Sequence, residues 1–168
     1  GKIDCIIEPM PASSENFESQ SFCREKLLLG IPGEHMLADK PAISIADLKG
    51  ERLLSLGRGH RLFDHVQRLC ETSGAQMRED YEGTSLDALR QMVSIGMGLS
   101  LFPGAYVGSE FAQESGVRLV EISDLPLQRT VGLAWRKNSM RTEHYKTLCR
   151  EAKRSIDAMD RLEVKSID

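Results

Sequence analysis

Apolar residues that recur at three- and four-residue spacing predict three amphipathic helices. The first covers residues 61–73 and ends at Gly74, and the second begins after Thr84 or Ser85, either of which can cap it. A longer third helix runs from Met140 toward the C-terminus. The apolar face of the first helix consists of Leu62, Val66, Leu69 and Cys70.

Shorter apolar runs, bounded by Gly, Pro and polar residues, predict strands. The first run, IDCIIE at residues 3–8, is expected to be a buried strand, and the polar residues 9–20 a loop. Because strands alternate with helices, we expect an α/β fold with a mostly parallel, helix-covered sheet. The remaining predicted strands are residues 21–32, 51–57, 76–83, 99–102, 116–122 and 129–137.

Two groups of strands flank a compact middle block, a pattern typical of a two-lobed protein. We expect residues 1–30 to belong to the first lobe, residues 31–98 to form the second, and residues 99–168 to return to the first. Ligands of such proteins bind between the lobes, where strand ends and helix N-termini face each other.

Charge and cysteine usage narrow the classes of function. The chain has 22 basic and 25 acidic residues and a net charge of −3, so it lacks the basic stripe of a nucleic-acid-binding domain. It contains neither an apolar run long enough to span a membrane nor a signal peptide, which leads us to expect a cytoplasmic location and no membrane partner. Four widely spaced cysteines without a Cys/His cluster indicate no zinc site and reduced thiols, and we expect no cofactor. The opening GKIDCIIEP, without an initiator Met, is typical of a fragment of a longer protein.

The stretch GRGHRLFDHVQRLC at residues 57–70 places Arg61 where a helix begins. The N-terminus of a helix attracts small anions, and a guanidinium binds carboxylate or phosphate through two hydrogen bonds, so Arg61 could be an anion clamp. The alternative is a solvated surface arginine. Similarly, Thr84 and Ser85 are helix caps that could also contact a ligand, and Phe102 and Pro103 either pack in the core or line the cleft.

Other polar residues do not form a recognisable catalytic site. His60 and Asp64 could pair across one helical turn, but no serine or thiol nucleophile lies beside them, so an enzyme is not expected. His60 and His65 are five residues apart, which is not the spacing of a metal-binding pair on a helix, and we expect no metal. Asp80 and Tyr81 could face the cleft, although a solvated acidic edge is the simpler interpretation.

The segment TSLDALRQMVSIGMGLSLFP resembles the signature of the effector-binding domain of LysR-type transcriptional regulators. GKIDCII, LLLGIPGEHMLA, DLKGERLLSL and TVGLAWRKNS fit the same family in order, so the resemblance covers nearly the whole chain. It implies a two-lobed, periplasmic-binding-protein-like (type 2) domain, here N-terminally truncated, that binds a small effector in its cleft. The resemblance also implies a homodimer or homotetramer that binds DNA only through a winged helix-turn-helix outside this sequence. The candidate ligand-binding residues are then Gly59, His60, Arg61, Phe63, Thr84, Ser85, Phe102 and Pro103.

In detail the chain resembles the peroxide-sensing OxyR branch, which has a G-H-C-L-x-D motif and a second cysteine nine residues after the first. This sequence has Gly59, His60, Leu62 and Asp64 in that motif, but Arg61 replaces the reactive cysteine and only Cys70 remains. Arginine cannot form a sulfenic acid, and Cys70 lies about 13 Å along the helix from position 61. We therefore expect that the two-cysteine peroxide switch is lost, with Cys70 at most a weak redox candidate.

Two other classes of protein, a solute receptor and an enzyme, can have the same two-lobed architecture. A small-molecule-binding protein of the periplasmic solute-receptor type shares the two-lobed architecture, whereas an enzyme on the same lobes would lack a credible nucleophile. If the first lobe lacks its early elements, the IDCII strand has lost its sheet neighbours, and the isolated chain should be poorly soluble or associate.

Overall fold

The computed structural model describes residues 3–12, 14–78, 83–111, 116–159 and 163–167. The helices are α1 (Arg61–Ser73), α2 (Leu86–Ser94), α3 (Gly104–Glu110) and α4 (Thr142–Asp157), and two 3₁₀ helices cover Met36–Asp39 and Ile45–Leu48. The strands are β1 (Cys5–Pro9), β2 (Phe17–Pro32), β3 (Arg52–Leu53), β4 (Gln76–Met77), β5 (Ser100–Pro103), β6 (Val117–Val120), β7 (Gln128–Arg136) and β8 (Val164–Ser166).

The chain divides into two compact units. Unit 1 consists of Gly1–Lys26 and Gln128–Asp168, and unit 2 of Leu27–Leu127. The return to the first unit therefore comes at residue 128, where the sequence had suggested residue 99, and the first division comes after residue 26 instead of residue 30. The reason is strand pairing, because β5 and β6 both pair with the second half of β2 and so stay in unit 2.

The predicted helices form where the apolar periodicity placed them. α1 covers the predicted residues, and its last turn closes on Gly74, whose φ of 76° suits glycine and whose amide donates to the Cys70 carbonyl at 2.9 Å. Of the two candidate caps of α2, Ser85 is the one used, because its hydroxyl oxygen accepts from the Ala88 amide. The short helix α3, the strand β8 and the 3₁₀ turn Met36–Asp39 were not predicted.

Unit 1 is an antiparallel sheet in the order β1-β7-β2-β8, with α4 packed against it. The expectation that residues 3–8 form a buried strand is wrong, since β1 lies at the edge of this sheet and the side chain of Ile7 is 67% exposed. The expected loop over residues 9–20 is shorter than predicted, because β2 already begins at Phe17. The core of unit 1 consists of Phe22, Cys23, Leu133, Trp135, Tyr145 and Cys149.

Unit 2 contains both parallel and antiparallel pairs. The second half of β2 lies between β5 and β6 and is antiparallel to both, whereas β3 is parallel to β4 and to the chain at Leu99. The expected mostly parallel sheet is therefore wrong: among the described strands, β3 and β4 are the parallel pair and every pair that includes β2 is antiparallel. The sequence alternation missed this because β2 is a single long strand that pairs with strands returning in the opposite direction.

Gly98 allows the parallel approach of β3 and β5. A Cβ atom at this position would lie 2.7 Å from the carbonyl oxygen of Arg52, closer than real contacts allow. The approach is fixed by two backbone hydrogen bonds, from the Leu54 amide to the Leu99 carbonyl and from the Leu99 amide to the Arg52 carbonyl, each 2.8 Å. The glycine therefore sets the spacing of the strands whose ends carry the candidate site.

Candidate ligand-binding site

Two helices of unit 2 begin side by side at one edge of its sheet. Leu56 and Gly83 form a parallel bridge, the Gly57 amide donates to the Gly83 carbonyl at 3.3 Å, and the Gly83 amide donates to the Ser55 carbonyl at 3.0 Å. α1 follows the first of these segments and α2 the second. Because the carboxyl ends of parallel strands meet at the same edge, the unsatisfied amides of both helix N-termini are presented there.

The end of β5 lies at the same edge. β5 is parallel to β3 at the Leu53–Leu99 bridge, and the Ser100 hydroxyl donates to the Leu54 carbonyl at 2.8 Å. Continuing along both strands brings Phe102 and Pro103 to the end at which Ser55 precedes the glycine turn. The fold thus collects the three candidate segments, residues 59–63, 84–85 and 102–103, at one edge of unit 2.

The turn that leads into α1 is held by two backbone hydrogen bonds and carries two arginines, Arg58 and Arg61. The His60 amide donates to the Gly57 carbonyl and the Phe63 amide donates to the His60 carbonyl, both at 2.9 Å, while the His60 side chain makes no capping bond. Gly59 and His60 are exposed, and Arg61 and Phe63 are half-buried. Sequence reasoning missed Arg58, whose guanidinium lies over the Phe63 ring at 5.2 Å from its centroid. The sequence did contain a signal for Arg58, because residues 57–61 include two arginines that precede or begin the helix.

The second segment offers exposed hydroxyl groups. Thr84 and Ser85 are both exposed, and the Ser85 oxygen accepts from the Ala88 amide at 3.2 Å. A hydroxyl whose oxygen accepts a hydrogen bond still has a proton to donate. The cap and a ligand contact are therefore compatible at Ser85, while Thr84 is free of the capping role.

Phe102 and Pro103 are packed away from solvent. Phe102 is fully buried, with ring centroids of Tyr106 at 6.1 Å and Phe111 at 5.3 Å, and Pro103 is also buried. Of the two interpretations that the sequence left open for these residues, this packing favours core packing over contact with a ligand.

A polar contact joins α2 to α3 beside this aromatic group. The Tyr106 hydroxyl donates to the Asp87 carboxylate at 2.7 Å. Burial and this hydrogen bond to Asp87 raise the pKa of Tyr106, so the phenol stays protonated and remains a donor at neutral pH. Tyr106 was not singled out from the sequence, because it lies on the helix that the apolar pattern did not predict.

One buried hydroxyl at this edge has an unsatisfied hydrogen-bonding capacity. Ser55 is 3% exposed, and its Oγ has no hydrogen-bond partner among the residues that the structure describes. Its backbone carbonyl is the one that receives the Gly83 amide. Buried hydroxyls are normally paired, so Ser55 is an open donor and acceptor where the two helices begin.

Cys70 lies on the buried side of α1, far from its N-terminus. It is 8% exposed, and desolvation, with a smaller contribution from the Glu71 charge, raises its pKa to about 11. The thiolate that reacts with peroxide is therefore scarce at neutral pH. All four cysteines are free thiols, and desolvation also raises the pKa values of Cys23 and Cys149.

A search of the described residues found no group of three or more His, Cys, Asp or Glu side chains able to hold a metal ion. Among the described helices, none combines the length and the apolar character that crossing a membrane requires. Asp80 and Tyr81, the weaker cleft candidates, lie outside the described residues.

Sequence comparison and structure comparison with known proteins both find members of one family. The sequence profile of the LysR substrate binding domain matches residues 1–157. The DNA-binding transcriptional dual regulator OxyR of Escherichia coli is 35% identical over 157 residues, which cover 94% of this chain and 51% of that protein. A hydrogen peroxide-inducible genes activator of Pectobacterium carotovorum is 34% identical, over 88% of this chain and 49% of that protein. The chain spans about half the length of the curated relatives it matches.

Solved OxyR structures share the fold. The oxidized form of OxyR superposes with a TM-score of 0.79 and 33% identity, over 93% of this chain and 73% of that chain. A sulfate-bound OxyR2 regulatory-domain variant from Vibrio vulnificus gives a TM-score of 0.76 and 26% identity, over 88% of this chain and 70% of that one.

Proposed function

Because this chain belongs to the LysR substrate-binding domain family, we propose that it is the ligand-sensing regulatory domain of a DNA-binding transcriptional regulator. The relative from Escherichia coli is named a DNA-binding transcriptional regulator, and it is about twice as long as this chain. In this proposal DNA is bound by a segment outside the present sequence, and the intact protein is a cytoplasmic homodimer or homotetramer. The relatives are named as transcriptional regulators or gene activators, which favours a regulator over a periplasmic solute receptor.

The proposed effector is a small anion, and the observation that carries this proposal is the position of Arg61. Arg61 is the first residue of α1, at the edge where the N-terminus of α2 also begins. Helix N-termini favour negative charge, and a guanidinium adds two charge-assisted hydrogen bonds to a carboxylate or phosphate. Arg58 gives a second cation on the same turn, and Thr84 and Ser85 give hydroxyl donors. The related OxyR2 regulatory-domain variant is described as sulfate-bound, which supports the choice of an anion as effector.

The second part of the proposal is that peroxide does not switch this protein through two cysteines. Arg61 occupies the position where the OxyR motif has its reactive thiol, and arginine cannot be oxidised to a sulfenic acid. Cys70, the remaining cysteine of that motif, is buried and has a raised pKa, which makes its thiol a poor nucleophile. An anion held by Arg61 therefore replaces thiol oxidation as the input signal.

Binding would act by shifting a conformational equilibrium. An effector favours whichever arrangement of the regulator binds it more tightly, and the shift cannot exceed the difference between its two affinities. The chain's own contribution is to fix the anion through Arg61 and the α1 amides, which the His60–Gly57 and Phe63–His60 hydrogen bonds hold in place.

The test is a thermal-shift screen of metabolite carboxylates and phosphates against the wild-type protein and Arg61→Ala. A ligand that stabilises only the folded state raises the melting temperature, and we expect a hit that Arg61→Ala abolishes. Arg68→Ala is the matched control, since Arg68 lies exposed on the same helix away from its N-terminus.

A peroxide arm with thiol counting completes the test. We expect all four thiols to remain after peroxide treatment. Loss of the Cys70 thiol together with another cysteine, coupled to a change in DNA binding by the intact protein, would overturn the second part. An anion hit that survives in Arg61→Ala would overturn the first.

A further inference from the structure

The strand register of unit 1 places three cations on one face of its sheet. Arg24 on β2 lies directly opposite Lys165 on β8. Side chains two residues apart on a strand point to the same face, so Lys26 joins Arg24, with Gln128 of β7 opposite it. We call Arg24, Lys26 and Lys165 the cationic face.

The central pair of the cationic face has no neutralising partner among the residues that the structure describes. Arg24 and Lys165 are both exposed, and neither has a hydrogen bond or ion pair with another described residue. Like charges directly opposite each other in neighbouring strands destabilise a sheet, because their Cβ atoms are only about 5 Å apart. An anion between the two would turn this repulsion into two attractions.

The space for such an anion exists. A cavity of about 260 Å³ is lined by the cationic face together with Gln128, Glu25 and Glu163. Phosphate and simple phosphate monoesters are small enough to fit this volume. The cavity is lined entirely by residues of unit 1, so it is separate from the Arg61 site.

The two carboxylates that line the cavity do not cancel its positive charge. Glu25 is 2% exposed, and its carboxylate accepts from Arg129 Nε at 2.7 Å, which neutralises it. Glu163 is opposite Lys26, whose amide donates to the Glu163 carbonyl at 2.8 Å, and its single negative charge is fewer than the three positive charges of the cationic face. Counting Glu163 against one of the three cations leaves two positive charges among the described residues that line the cavity.

We propose that Arg24 and Lys165, with Lys26 at the rim, form a second anion-binding site specific for a phosphate-type dianion. A dianion matches the two remaining charges, and the arginine fork can bind two of its oxygens while Lys165 contacts a third. Gln128 offers an amide donor on the same face.

The experiment is an NMR titration of the ¹⁵N-labelled protein with inorganic phosphate, using chloride at equal ionic strength as the blank. We expect saturable shifts of the amides around Arg24 and Lys165, and a loss of at least tenfold in affinity in Arg24→Gln and in Lys165→Gln. Lys137→Gln is the matched control, because Lys137 is an exposed lysine of the same unit outside the cavity. A parallel titration with glycerol phosphate distinguishes a site for the free ion from one for a monoester.

Melting temperatures give a second readout that a merely structural role would not produce. Without anion, Arg24→Gln should melt about 1–3 °C above the wild type, because the cross-strand repulsion is gone. Phosphate should raise the melting temperature of the wild type but not of the variant. Equal responses to phosphate and chloride, or equal binding by Lys137→Gln and Arg24→Gln, would overturn the proposal. Arg61→Ala should bind phosphate here unchanged, which separates this proposal from the proposed function.

Discussion

Truncation of Phe102 tests whether this residue supports the candidate site from the core or contacts the ligand. The Phe102 ring is fully buried, packs on Tyr106 and Phe111, and lies close to Gly30. A Cβ on Gly30 would lie 2.4 Å from the Phe102 ring and 3.1 Å from a Val117 methyl group, so the ring occupies space that a side chain at position 30 would need.

The expected cost of Phe102→Ala follows from that packing. Truncating a buried phenylalanine to alanine lowers the free energy of unfolding by about 3–5 kcal/mol. We expect about 4–5 kcal/mol here, because two aromatic contacts are lost and the neighbouring glycine has no side chain that could fill the cavity. In a chain of this size that loss lowers the melting temperature by about 8–20 °C. Phe102→Leu keeps most of the volume and should cost about half as much.

Urea unfolding monitored by circular dichroism measures the free energy of unfolding of both variants, and the thermal-shift hit from the ligand screen measures binding. We expect Phe102→Leu to lose stability while its ligand affinity changes less than threefold. If Phe102→Leu were as stable as the wild type but bound the effector tenfold more weakly, the assignment of Phe102 to the core would be refuted. The leucine variant keeps this test informative even if the alanine variant does not fold.

Two further predictions concern buried polar groups of unit 1 and α1. Arg129→Met should lower the free energy of unfolding by about 3–5 kcal/mol, because it removes the Nε donor to the buried Glu25 carboxylate. Adding Glu25→Gln to Arg129→Met should recover part of that loss, and urea unfolding of the wild type, the single variant and the double variant measures both effects. Cys70 should react with a thiol reagent at pH 8 about a hundredfold more slowly in folded than in unfolded protein, because its pKa rises from 9.0 to about 11. A group whose pKa is raised by folding contributes its full stability below the pKa of the unfolded state, so the contribution of Cys70 should be lost as the pH rises from about 9 to 11. A free energy of unfolding that stayed constant over this pH range would contradict the prediction.

In the proposed function, Arg61 stands where the OxyR motif has a thiol, and this changes what the α1 N-terminus detects. A thiol at that position reports oxidation by forming a new covalent bond, whereas a guanidinium reports the presence of an anion by reversible binding. The surrounding turn, with its glycines and its His60–Gly57 hydrogen bond, lies at a helix N-terminus. The backbone amides and dipole of such a terminus stabilise a thiolate as well as a bound anion.

The sequence alone determined the features that depend on neighbouring residues. The span of α1 and its end at Gly74 followed from apolar spacing and from the tolerance of glycine for positive φ. Ser85 was one of two caps named, since a hydroxyl before an apolar-periodic run satisfies the first free amides. The starts of α1 and α2 were recognised for the same reason, whereas the ligand-binding role of residues 59–63 and 84–85 stays a prediction.

Tertiary structure decided what depends on partners distant in the chain. The antiparallel pairing of β2, the return to unit 1 at Gln128 and the edge position of β1 depend on which strands meet, and apolar periodicity has no information about partners. The same holds for single residues. From the sequence, Phe102 fitted either the core or a ligand contact, and its packing against Gly30, Tyr106 and Phe111 favours the core. Arg24 entered the proposed phosphate site only because the strand register places Lys165 opposite it. Local patterns fix which elements form because their hydrogen bonds and caps are short-range, whereas burial and charge neighbourhoods arise only once those elements pack.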